Sequence, residues 1–121
     1  MRLMISGSRG ITDKARVFSI LDSMNYMPSL LIHGGARGVD ALAGTWASAR
    51  GIPVVVYPAD WSLGRGAGFI RNCRMLGAAD AVLALWDGES PGTAHALRIA
   101  LVSGKSVYVW LPGEKRVQRA A

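Results

Sequence analysis

Only one cysteine, Cys73, stands among the 121 residues. It excludes an intramolecular disulfide framework and a zinc site built from several thiolates. A reducing, cytoplasmic compartment is therefore the expectation. Histidine is almost as scarce, with His33 and His95 alone. There is no HExxH motif, no nucleophile elbow and no Cys/His pair at useful spacing, so neither a metal site nor a cofactor is expected. No apolar run approaches the roughly 18 residues that cross a bilayer, so no membrane partner is expected. Met1-Arg2-Leu3-Met4 leads straight into an apolar run without an h-region or cleavage site, so no signal peptide is expected.

Acidic residues are also few. Fourteen Lys and Arg face eight Asp and Glu, giving a net charge of +6 and a pI near 10.3. That excess fits nucleic acid or a small anionic ligand. The arginines are spread along the chain rather than interleaved with aromatics, which favours the small anion. Only Lys115-Arg116 with Arg119 cluster, in residues 113–121, which read as a basic C-terminal tail after a domain of residues 1–112.

What is abundant is glycine, fifteen residues, placed at regular points between apolar runs. Arg2–Ser6 reads as a strand, followed by a helix capped at Thr12 or Asp13 and running to about Met24. Ser29–His33 reads as a second strand and Val39–Ala49 as a second helix, closed by Gly51. Pro53–Tyr57 is a third strand, its Val54-Val55-Val56 run suited to cover on both faces. After the long loop Pro58–Gly68, helices at about Phe69–Leu76 and Thr93–Ser103 alternate with strands at Ala81–Leu85 and Ser106–Leu111. This alternation predicts a single Rossmann-like three-layer α/β domain. Its mainly parallel five-stranded sheet would have order 3-2-1-4-5, with right-handed crossovers.

In such sheets ligands sit beyond the carboxyl ends of the strands. Three glycine-rich turns fall there. Gly7-Ser8-Arg9 follows the first strand, with backbone N–H groups and the Ser8 hydroxyl to cradle phosphate and Arg9 to clamp it. Gly34-Gly35-Ala36-Arg37 follows the second strand, its paired glycines allowing close approach and Arg37 facing the same cleft. Asp40, in the next helix turn, either favours that N-terminus or orients Arg37. Gly92 and Thr93 open the last helix and offer N–H groups and a hydroxyl. Arg71 and Asn72 reach from the third helix toward a phosphate or ribose. Trp61 and Trp86 are the candidates for stacking on a base. His33 reads as a hydrogen-bonded structural residue; Trp46 and Trp110 read as core or interface. Catalytic candidates are thin: Glu89, Asp87 and Asp40 are the carboxylates placed to act as acid or base.

Taken in order, Gly7-Ser8-Arg9, His33-Gly34-Gly35-Ala36-Arg37-Gly38-Val39-Asp40 with Leu42-Ala43, Gly51-Ile52-Pro53-Val54, Pro58-Ala59-Asp60-Trp61, Arg71-Asn72-Cys73-Arg74-Met75 and Gly92-Thr93-Ala94 resemble the SLOG superfamily. The small YspA/cpYpsA-related branch is the best match, over about Met1–Leu111. The resemblance implies a Rossmann-like fold that binds nucleotides or nucleotide-derived molecules. It includes phosphoribohydrolases, binders of signalling nucleotides such as cyclic ADP-ribose-type molecules in antiphage defence, and the DNA-processing protein A branch, which binds single-stranded DNA. The phosphoribohydrolases carry PGGxGTxxE, and their glutamate position is Ala96 here. Alanine transfers no proton, so the resemblance favours binding of a nucleotide-derived small molecule, to sense or sequester it. N-glycosidase action on a nucleotide and single-stranded nucleic-acid binding are the alternatives. The resemblance and the high apolar content together lead to an expected homodimer or higher homo-oligomer, with the helices carrying Trp46 and Leu97–Leu101 as candidate contact faces.

Overall fold

The computed structural model describes residues 1–25 and 27–121. Apolar runs form the strands β1 (Arg2–Gly7), β2 (Leu30–His33), β3 (Val54–Val56), β4 (Ala81–Leu85) and β5 (Ser106–Trp110), with a short β6 (Gln118–Arg119). Between them lie α1 (Lys14–Asp22), α2 (Val39–Ala49), α3 (Ala67–Ala78) and α4 (Pro91–Leu101), plus one 3-10 turn at Trp61–Leu63. The sheet order is β3-β2-β1-β4-β5-β6. The first five strands are parallel, as the alternation of apolar runs and helices predicts, and β6 adds an antiparallel sixth.

Pleating divides the core. Leu3, Ile5, Leu31 and Leu83 point to one face, against Val17, Ile20 and Leu21 of α1 and Val39, Ala43 and Trp46 of α2. Met4, Ile32, Val82 and Val107 point to the other, against Met75 of α3 and Ala96 and Ala100 of α4. β4 is buried at every residue, and Leu3, Met4 and Ile5 of β1 are equally covered, as central parallel strands require.

α1 begins as expected, with the Asp13 carboxylate accepting the Arg16 N–H at 3.1 Å, and ends at Asp22 rather than Met24. α3 and α4 each begin two residues earlier than the apolar periodicity suggests, because small residues and Pro91 form their first turns. Trp46 is fully buried, its indole N–H donating to Asp22 at 2.9 Å, so it belongs to the core.

Two strands differ from expectation. Val54–Val56 is an edge strand, and Val55 and Val56 are 39% and 47% exposed rather than covered on both faces. An apolar run encodes strand formation but not position in the sheet; α2 packs over one face of this edge, where Val54 joins the core, and leaves Val55 and Val56 exposed. Gln118–Arg119, too polar and short to read as a strand, pairs with β5 through its backbone; beside it Ala120 N–H donates to Val107 O at 2.8 Å. Among the described residues no helix is long and apolar enough to cross a membrane.

Candidate ligand cleft

The loops after β1, β2 and β3 meet the first turns of α3 and α4 around a cleft of about 890 Å³. That volume suits a ligand of nucleotide size. Gly7, Ser8, Arg9, Gly34, Gly35, Ala36, Arg37, Asp40, Trp61, Arg71, Asn72, Gly92 and Thr93 all line it. Trp86, Asp87 and Glu89 do not.

Glycine is required where chains approach closely. A Cβ on Gly7 would overlap the Val39 side chain, so glycine lets β1 lie against the start of α2. Gly38 caps α2 at φ 77°, and a Cβ there would stand 2.5 Å from the Arg9 carbonyl oxygen. The first and second loops are therefore held together at Arg9 and Gly38.

The Gly34–Ala36 loop uses its amides inward. Gly34 and Ala36 N–H groups donate to Asp40 Oδ2 at 3.0 and 3.2 Å, and Gly35 N–H donates to His33 Nδ1 at 2.9 Å. His33 thus needs an unprotonated Nδ1, and burial lowers its pKa accordingly. These amides shape the loop and are not aimed at an anion. The loop lines the cleft with Gly34, Gly35 and Ala36 and adds the charge of Arg37.

Asp40 is 5% exposed. Its Oδ2 is doubly hydrogen-bonded, while Oδ1 is buried and finds no partner among the described residues. Burial pushes its pKa up to about 6, against the opposing pull of the Ala36 and Gly34 amides and of Arg71.

Arg71 and Asn72 act as braces. Arg71 Nη1 donates to Gly34 O at 2.6 Å and to Tyr57 O at 3.3 Å, and Nε donates to Asn72 Oδ1 at 3.1 Å. Asn72, 3% exposed, donates from Nδ2 to Gly92 O at 3.1 Å and lies 3.2 Å from His95 Nδ1. A continuous chain of hydrogen bonds thereby ties the Gly34 loop to the start of α4. Ser8 is likewise internal: its N–H donates to Leu85 O and its Oγ accepts the Asp87 N–H, both at 3.0 Å.

Asp87 accepts from Glu89 N–H, Ser90 N–H and Ser90 Oγ at 2.8–2.9 Å. Those bonds, the Ser90 amide first, hold its pKa down near 2, so it is a fixed turn anchor. Trp86 donates its indole N–H to Ser90 O at 3.1 Å and braces the same turn. Glu89 is exposed outside the cleft.

The groups left facing the cleft are cationic, helical and aromatic. Among the described residues Arg9, Arg37 and Arg65 make no salt bridge, and Asp40 is the single carboxylate in the lining. The Gly92 and Thr93 N–H groups precede the first intrahelical bond of α4, from Ala94 N–H to Ser90 O at 3.1 Å. Trp61, 69% exposed, stands on the 3-10 turn capped by Asp60. Phe69, 46% exposed, stacks on His95 with ring centroids 4.1 Å apart. Arg65 and Phe69 also line the cleft, beyond the residues expected there from the sequence. Arg65's signal was its place in the longest glycine-rich loop; Phe69 carried none, because a phenylalanine near a helix start reads as core.

Comparison with known proteins gives the chain's family and its fold. The model of the YspA, cpYpsA-related SLOG family matches residues 1–64. The gene 61 protein of Mycobacterium phage D29 is 39% identical over 113 residues, covering 85% of this chain and 90% of that protein. Among solved structures, DNA processing protein A from Streptococcus pneumoniae superposes with a TM-score of 0.76 at 16% identity, over 94% of this chain and 51% of that one. DNA processing protein A from Helicobacter pylori, described for its single-stranded DNA binding mode, superposes at 0.66 and 20% identity, over 95% of this chain and 66% of that one. The chain therefore spans half to two thirds of these structures, and at such identities the likeness is one of fold.

Proposed function

The chain belongs to the YspA, cpYpsA-related SLOG family, and from that premise we propose that its cleft binds a nucleotide or nucleotide-derived ligand, to sense or sequester it. The observation that carries this reading is the composition of the cleft wall. Among the described residues three arginines of the lining, Arg9, Arg37 and Arg65, make no ion pair, and they share this space with the open N-terminus of α4. Phosphate or diphosphate is held there by charge-assisted bonds from the arginines and by the Gly92 and Thr93 N–H groups. Trp61 and Phe69 supply flat apolar surface for a base. Asp40 and the Arg71–Asn72 brace keep the Arg37 loop in register with α4.

Binding is favoured over N-glycosidase action by the state of the carboxylates. Ala96 stands where the hydrolase pattern has glutamate, and its side chain is buried in the core. Asp87 is ionised and fully engaged, and Glu89 lies outside the cleft. Asp40 is the one carboxyl in the lining, with both amide bonds on one oxygen and the other oxygen covered.

A second reading is binding of single-stranded DNA. The fold shared with the Helicobacter pylori protein, and the +6 charge, favour it. The two readings separate by titration. Nucleoside monophosphates, NAD, ADP-ribose and a short single-stranded oligonucleotide are each mixed with the protein, and bound and free pools are analysed by mass spectrometry. Retention of an intact small nucleotide supports the first reading. Retention of the oligonucleotide alone, with affinity falling steeply with salt, supports the second. Appearance of a free base with a ribose phosphate overturns both in favour of hydrolysis.

A further inference from the structure

We infer that His95 is a positioning residue of the cleft: a neutral imidazole accepting at Nδ1, it holds Asn72 against the start of α4 and backs the Phe69 ring offered to a base. This rests on the nucleotide-binding reading above and adds a residue to it. His95 stands outside the lining and acts through two residues that belong to it, Asn72 and Phe69. The other histidine of the chain, His33, accepts the Gly35 N–H at its own Nδ1.

Asn72 decides the state of the imidazole. Its Oδ1 accepts the Arg71 Nε–H at 3.1 Å, and its Nδ2 donates to Gly92 O at 3.1 Å. A flipped amide would set two donors together at Arg71 and two acceptors together at Gly92, so the orientation is fixed. That leaves the second Nδ2–H for His95 Nδ1, 3.2 Å away, and the ring must receive it on an unprotonated nitrogen. The neutral tautomer that can do so carries its proton on Nε2. Asn72 is 3% exposed, so protonation of Nδ1 would leave a buried N–H facing another donor.

The surroundings keep the ring neutral. Burial lowers its pKa, and Arg98 on the same helix lowers it further. From α3, Arg71 adds positive charge behind Asn72, and Arg74 lies near Asp60. Among the described residues no carboxylate forms a salt bridge with His95, and Asp87 of the preceding turn spends its oxygens on that turn. The Phe69 face is the one neighbour that would welcome a cation. Its ring lies 19° from parallel to the imidazole, so the stack fixes the plane that Phe69 presents to the cleft. One side chain thus sets both ends of the ligand site, the Gly92 turn through Asn72 and the aromatic platform through Phe69.

The test has a ligand-free arm and a binding arm. In the first, imidazole NMR of the nitrogen-labelled chain is followed with pH. His95 is expected as the Nε2–H tautomer with a midpoint below 6.5. The Asn72 side-chain amide and the Phe69 ring signals are expected to shift with that same midpoint, and to lose that transition in His95→Asn, which keeps an acceptor but no titrating ring. An Nδ1–H tautomer, a midpoint above 6.5, or Asn72 and Phe69 signals indifferent to it would overturn the inference. In the second arm ADP-ribose is titrated by calorimetry, its pyrophosphate keeping its charge from pH 7.5 to 5. His95→Phe keeps a flat ring and loses the acceptor; at pH 7.5 it is expected to bind about fivefold more weakly than wild type. Wild type is expected to lose about fivefold relative to His95→Asn as pH falls to 5, a difference in which Asp40 and His33 cancel. Equal affinity in His95→Phe and wild type, or parallel pH profiles of wild type and His95→Asn, would also overturn it. A wild type that binds no nucleotide while the first arm holds would overturn the nucleotide reading and leave the positioning of Asn72 and Phe69 standing.

Discussion

Asp40→Asn gives a sharp test of how the cleft is built. In the folded protein Asp40 is buried, with two amides on Oδ2 and none on Oδ1. Burial lifts its pKa from 3.8 to about 6. A carboxyl whose folded pKa is raised contributes stability that is fully present below pH 3.8 and is lost as pH rises through about 6. At 1.36 kcal/mol per unit the full loss is about 3 kcal/mol. Between pH 4.5 and 7.5 the part that is sampled is about 2 kcal/mol. Asparagine keeps a carbonyl oxygen for the Gly34 and Ala36 amides and does not titrate. Its NH₂ group, placed where Oδ1 has no partner, costs about 1–3 kcal/mol at every pH. The informative quantity is therefore the difference between the two proteins as a function of pH, since the constant offset and every other titrating group cancel. Urea unfolding at half-unit steps should show wild type gaining about 2 kcal/mol on the variant as pH falls from 7.5 to 4.5. A difference that stays constant within about 0.5 kcal/mol would refute the burial of an ionising Asp40.

The other predictions concern the loops and the ligand. Gly38→Ala should destabilise the fold by about 1–3 kcal/mol in a denaturant melt, because of its positive φ and the Arg9 carbonyl beside it. Arg71→Ala should raise amide exchange at Gly34 and at Gly92 together, since one hydrogen-bond chain joins them; a change at Gly34 alone would break that claim. Asp87, its pKa held near 2, contributes stability present above 3.8 and lost as pH falls toward 2; Asp87→Ala should remove that acid-side loss. Trp46→Phe removes the indole bond to the exposed Asp22 and should cost about 0.5–1.5 kcal/mol in a thermal melt, without altering ligand affinity.

The strand order was legible because apolar runs alternate with helical patterns, those of β1, β2 and β4 running into glycine-rich turns, and each helix begins with a cap or a small residue. Leu3, Ile5 and Val17 carry their burial in their spacing. β6 was not legible, because Gln118 and Arg119 pair through backbone groups that have no side-chain signature. The edge position of Val54–Val56 was hidden for a related reason: an apolar run is the same whether a strand is central or peripheral. At the cleft, positions were legible and roles were not. Gly34, Gly35 and Ala36 lie where the glycine pattern puts them, yet their amides turn toward Asp40 and His33. Arg71 reads as a free cation in the sequence and is a brace in the fold, because the carbonyls of Gly34 and Tyr57, far apart in the chain, converge on it. Such convergence depends on tertiary placement and leaves no local pattern.

In the proposed function the arginine-lined cleft holds the phosphate of a nucleotide-derived ligand. Isothermal titration of the wild type and of Arg9→Glu and Arg37→Glu, with ADP-ribose, NAD and nucleoside monophosphates, tests it most directly. Wild type should bind at least one of these at low salt, and each reversal of charge should weaken that binding by about tenfold or more. Equal affinity in all three proteins, or no binding by wild type to any of the panel, would contradict the account.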